Sequence, residues 1–110
     1  MDLTEVKESK IEFNLRNEVM KILMTNPQRR YRRSEFVKEI MSNLDAKTRA
    51  LEYYKVASER ELKSKLMSAL ATVLRKLQKE GIIVEVVRGN RTSYQFSEIL
   101  FPYPLLFTEI

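Results

Sequence analysis

The sequence predicts a mainly α-helical domain that closes on a C-terminal β-hairpin. Two Gly and three Pro in 110 residues leave few places where helices must break. Apolar residues recur at three- and four-residue spacing from Leu15 to Leu77, the period of a helix with one buried face. After Gly81 that period gives way to two, the signature of strands. At 110 residues the chain has the length of one domain with one core.

Asn14-Leu15 opens the first helix, with Leu15, Val19, Ile22 and Leu23 on one stripe. Ile11 lies one turn earlier on the same stripe, which allows a start nearer Thr4. The helix stops by Asn26, because Pro27 disfavours the α region for the residue before it. Residues 28–33 (QRRYRR) form a basic connector. Ser34 is the expected N-cap of the second helix, its hydroxyl accepting from the unpaired N–H groups of the first turn. That helix carries Phe36, Val37, Ile40, Met41 and Leu44 as its apolar stripe and ends around Asn43 to Asp45. Residues 46–57 allow a short inserted helix with Leu51, Tyr54 and Val56 turned inward.

Ser58 and Glu61 fit a capping box, in which the serine hydroxyl serves the N3 amide and the glutamate reaches back to the cap. The helix they open runs to Glu80, with Leu62, Leu66, Leu70, Val73, Leu74 and Leu77 on one side, and stops at Gly81. Residues 82–87 and 91–96 are then two strands around the turn Gly89-Asn90. Pairing Arg88 with Arg91 sets Ile83, Val87, Tyr94 and Phe96 on one face, with Glu85 among them. Val84, Val86, Ser93 and Gln95 take the other. The chain divides into an N-terminal extension or helix start (1–13), a central domain (14–96) and an apolar tail (97–110).

Composition narrows the chemistry. The chain has no Cys and no His, so disulfides, thiolate zinc sites and the commonest general base are missing. No motif signals the remaining carboxylate, serine or lysine chemistry, and the expectation is a binder rather than an enzyme, without cofactor, metal or small-molecule ligand. No stretch approaches the length of apolar sequence a membrane span requires. The charged, mixed-sign start MDLTEVKESK resembles neither signal nor transit peptide, so the expected location is the cytoplasm, in association with the nucleoid. The net charge of +5 is unevenly spread: residues 13–96 hold 18 basic and nine acidic side chains, between ends that are each net acidic. A basic middle of this kind points to a polyanion as partner.

The order of helix, basic connector, helix, capped helix and glycine-led hairpin resembles the winged-helix DNA-binding family. The telling residues are Val73-Leu74-Arg75-Lys76-Leu77-Gln78-Lys79-Glu80-Gly81-Ile82-Ile83, where a helix ends on core leucines, a charged turn and a glycine, and a β-branched pair starts the wing. The resemblance covers residues 14–96. It implies a winged helix-turn-helix with an inserted segment between the second and third core helices, since about a dozen residues separate Leu44 from Ser58. Either a helix is inserted there, or the long third helix is broken near Ser64 or Ser68.

Three groups of residues are candidates for nucleic-acid contact. On the third core helix, the face opposite the leucines holds Glu61, Ser64, Lys65, Ser68, Thr72, Arg75 and Lys79. Since Glu59 and Glu61 would repel phosphate, the candidates are Lys65, Ser68, Thr72, Arg75 and Lys79. Small hydroxyls let a helix sit close to base edges while the cations reach phosphates or guanine, although any amphipathic helix has a solvated face. Arg88, Asn90 and Arg91 form a hairpin tip suited to a narrow minor groove, or serve solubility beside a turn. Arg29, Arg30, Arg32 and Arg33 flank Tyr31. If that connector is a short strand, alternation turns Tyr31 inward with Arg29 and Arg33 and leaves Arg30 and Arg32 outward. Ser34 adds helix-start amides able to hold a phosphate, and some of these arginines could instead pair with Glu35 or Glu39.

Tyr53-Tyr54 could stack on a base or pack against the third helix. The expected partner is double-stranded DNA, read by a homodimer joined through the N-terminal helix, the C-terminal tail or both, most simply as a transcriptional regulator. A plasmid or viral replication or partition protein, and a protein-interaction module, are the alternatives.

Overall fold

The computed structural model describes residues 12–97 as four helices followed by an antiparallel hairpin. They are α1 (Leu15–Thr25), α2 (Arg33–Ser42), α3 (Leu44–Tyr54), α4 (Glu59–Lys79), β1 (Ile83–Arg88) and β2 (Arg91–Phe96). The expectations for residues 1–11 and for the tail beyond Ser97 lie outside the described residues.

Each helix starts where a side chain takes up unpaired amides. Asn14 is extended (φ −117°), and its side chain accepts from the Asn17 N–H at 3.1 Å. This fixes the start of α1 at Leu15 instead of near Thr4. For α2 the cap is Arg32, not Ser34, which lies inside the first turn. Glu35 reaches back and accepts from the Arg32 N–H at 2.8 Å, so a carboxylate inside the first turn, not the Ser34 hydroxyl, makes the side-chain bond at this helix start. Asn43 joins two helices: its N–H closes α2 on the Ile40 carbonyl, and its side chain accepts from the Ala46 N–H to open α3. Leu44 is therefore the first residue of α3 and 74% exposed, not the last apolar rung of α2.

The inserted segment is a complete helix, and α4 runs unbroken through Ser64 and Ser68. In α3 the small residues Ala46 and Ala50 are the buried ones, while Leu51, Tyr54 and Val56 are half-buried against the core. Alanines let α3 lie close to its neighbours. Ser58 caps α4 as expected, accepting from the Glu61 N–H at 3.2 Å. The Glu61 carboxylate, however, accepts from Ala57 rather than from Ser58.

The spine of the core is α4. Leu62, Leu66, Leu70, Leu74 and Leu77 are all buried, meeting Val19 and Leu23 of α1, Phe36 and Ile40 of α2, and Ile83 of β1. At its end Gly81 adopts φ 79° and donates to the Gln78 carbonyl, while Ile82 donates to that of Leu77. This paired bonding is a Schellman closure, and it turns the chain straight into β1. The hairpin keeps the expected register, with Arg88 opposite Arg91 and Ile83 opposite Phe96. Gly89 supplies a positive φ at the first turn position, as a type II′ turn requires. Glu85, on the inward face, accepts a hydrogen bond from Gln78 of α4 at 3.2 Å. No helix among the described residues is long and apolar enough to cross a membrane.

Candidate nucleic-acid interface

The arginine connector becomes a third, one-residue rung of the hairpin. Tyr31 exchanges two backbone hydrogen bonds with Tyr94, both 2.8 Å, and its ring is buried and stacked on Phe36 at 5.2 Å. Tyr31 thus turns inward as expected, with Arg30 and Arg32 directed the other way. Arg29 and Arg33 do not follow it, because both are exposed. The chain enters α2 at Arg33, so the strand-like alternation lasts only one rung. The Arg29 guanidinium lies over the Tyr31 ring, 4.6 Å from its centroid, and 3.8 Å from Glu35. That placement makes Arg29 a clamp on the connector. Arg33 reaches the Met67 carbonyl of α4 at 3.4 Å.

Arg30 donates from Nε to Gln95 Oε1 at 2.9 Å. Gln95 shares its hairpin face with Ser93 and Arg91, and across the register with Val84, Val86 and Arg88. Arg30 at the base and Arg88 and Arg91 at the tip therefore stand on one face, which bears no acidic residue. The single carboxylate of the hairpin, Glu85, is on the opposite face. Asn90 is exposed beside the tip arginines.

The five α4 candidates, Lys65, Ser68, Thr72, Arg75 and Lys79, are all exposed, as their spacing requires. They do not all look the same way as the hairpin. Met67 and Gln78, through which α4 touches the connector and the hairpin, lie roughly 110° around the helix from the centre of that stripe at 3.6 residues per turn. Thr72 lines a recess with Phe13, Tyr53 and Tyr54 on the other flank. Arg75 is the stripe residue nearest the hairpin side. Ser64, which the leucine stripe already set on the exposed face, and Arg60, which it did not, fall between Arg75 and Met67. The leucine stripe is oriented on the core, whereas the contacts with the hairpin and connector decide which flank of α4 adjoins them.

Tyr54 packs half-buried in an aromatic cluster, whereas Tyr53 beside it stays 52% exposed: their rings are 5.1 Å apart, and Phe13 lies 5.9 Å from Tyr54 and 6.1 Å from Tyr53. Burial pushes the Tyr54 hydroxyl above its ordinary pKa, and it does the same for Tyr94 under the connector. Two exposed carboxylates are held below the usual range: Glu80 by the hydrogen bonds from Arg16, at 2.6 and 3.2 Å, and Glu59 by the one from Lys47. These two ion pairs tie helices together, so their charges are spent within the fold.

Comparison with protein families, characterised proteins and solved structures finds no significant match to this chain.

Proposed function

We propose that the chain binds double-stranded DNA as a winged-helix protein, acting as a transcriptional regulator. The observation that carries this reading is the hairpin face on which Arg30, Arg88 and Arg91 stand together without an acid. Three guanidinium groups on a narrow ribbon suit the phosphate backbone and a narrow minor groove, where negative potential is concentrated. On the α4 flank beside the hairpin, Arg60, Ser64 and Arg75 offer long donors around a small side chain, a combination suited to base edges in the major groove. Ser68 and Lys79 then serve as flanking backbone contacts, with Arg32 and Arg33 at the start of α2 beside them, while Lys65 lies at least as far round α4 as Thr72. Thr72 faces away from this arrangement.

The test is duplex binding by the triple variant Arg30→Ala/Arg88→Ala/Arg91→Ala, with folding checked by circular dichroism. The expected result is a loss of affinity of at least tenfold on every duplex sequence. Ser64→Ala and Arg75→Ala should instead change sequence preference. Unaltered binding by the triple variant overturns the assignment of the hairpin face.

A further inference from the structure

Outside the arginine face, α2 and the first half of α4 leave a groove of about 590 Å³ between them. Val37 and Met41 of α2 and Met67 of α4 make its apolar floor. Lys38 on one wall and Lys63 on the other are exposed, and among the described residues neither forms an ion pair. The one carboxylate in the lining, Glu59, is taken by Lys47. Arg33 at the start of α2 meets Met67, whereas Lys47, just beyond α2, meets Glu59 at the start of α4, so the two helices run in opposite senses along the groove.

We propose that this groove docks an acidic amphipathic helix of a partner protein. Two antiparallel helices with an apolar valley between them lack a third helix to complete the cluster, and the nine residues of α2 from Ser34 to Ser42 give a valley roughly 12 Å long, enough for two turns of a docked helix with anchors at i, i+3, i+4 and i+7. Methionine side chains adapt to anchors of differing shape. The opposed lysines select carboxylates on both flanks of the docked helix, and charge of this kind sets specificity and association rate. Duplex DNA is the poorer occupant, because an apolar floor gives phosphates nothing to bond and Glu59 stands at one end. This proposal does not depend on the DNA reading.

The probe is a synthetic amphipathic peptide of about three turns, with leucines along one face and glutamates along both flanks. Binding is followed by the methionine methyl resonances of the full chain. The expected result is a shift of the Met41 and Met67 methyls, with Met24 unaffected, and at least tenfold weaker binding by Lys38→Glu/Lys63→Glu. A peptide with lysines replacing the flanking glutamates should recover affinity for that double variant. The proposal fails if the acidic peptide leaves both methyls unmoved, or if scrambling its sequence changes nothing. It fails equally if duplex DNA moves the same two methyls, which would assign the groove to nucleic acid.

Discussion

Gly81 (φ 79°) and Lys55 (φ 56°) hold the same left-handed backbone with different side chains. Each closes a helix in the same way: Lys55 donates to the Glu52 carbonyl and Val56 to that of Leu51, matching the bonds of Gly81 and Ile82 at the end of α4. For a residue with a Cβ this conformation costs about 1–2 kcal/mol. Gly81→Ala is therefore expected to destabilise the domain by about 1 kcal/mol, entirely through the backbone, since an added Cβ meets nothing within 4 Å. Lys55→Gly should stabilise it by roughly 0.5 kcal/mol, part of the relief being offset by the greater unfolded-state freedom of glycine. Denaturant midpoints of the two variants, moving in opposite directions, check this. The end of α4 was legible in the sequence because a glycine marks it. The end of α3 was not, because a lysine does the same work there.

At the scale of elements, the helices are joined by polar ties that periodicity does not announce. Arg16 at the start of α1 grips Glu80 at the end of α4, and Lys47 of α3 grips Glu59 at the start of α4. Both carboxylates have folded-state pKa values depressed below the ordinary range near 4.3. A depressed carboxylate contributes stability above its unfolded pKa, and that contribution fades as pH falls through the folded value. Wild type should thus melt higher than Glu80→Gln at pH 7, and the gap should close in the acid range below about pH 4. A gap that persists in acid assigns the difference to packing of the side chain rather than to its charge. The order α1, connector, α2, α4 and hairpin was legible from the stripes of leucine and from Gly81. The misplaced cap at Ser34 arose because Glu35, acting from inside the helix, can serve the Arg32 amide without any small polar residue at the cap itself. Likewise Leu44 fits the α2 stripe by spacing alone, yet Asn43 breaks that helix one residue earlier and starts the next.

Across the whole molecule, charge is sorted by face. Arg29 clamps Tyr31 and Arg16, Lys47 and Arg49 hold carboxylates. Arg30, Arg88 and Arg91 gather on the outer hairpin face, and Lys38 and Lys63 line the α2–α4 groove. Sequence shows that the middle of the chain is basic, but which cations are spent inside the fold depends in part on pairs far apart in the chain, such as Arg49 with Glu18 and Arg16 with Glu80. For the same reason the leucine stripe located the exposed side of α4 without saying which flank adjoins the hairpin. With about six phosphate contacts, binding to duplex DNA should fall with salt along a log–log slope of roughly −5, at about −0.9 per contact. Loss of three of those contacts should flatten it to roughly −2.5. The decisive measurement is that slope, taken by fluorescence anisotropy on a random duplex for the wild type and for Arg30→Ala/Arg88→Ala/Arg91→Ala. Slopes of roughly −5 and −2.5 are the predicted result, whereas a wild-type protein that binds no duplex at low salt, or two identical slopes, contradicts the assignment of the arginine face to DNA.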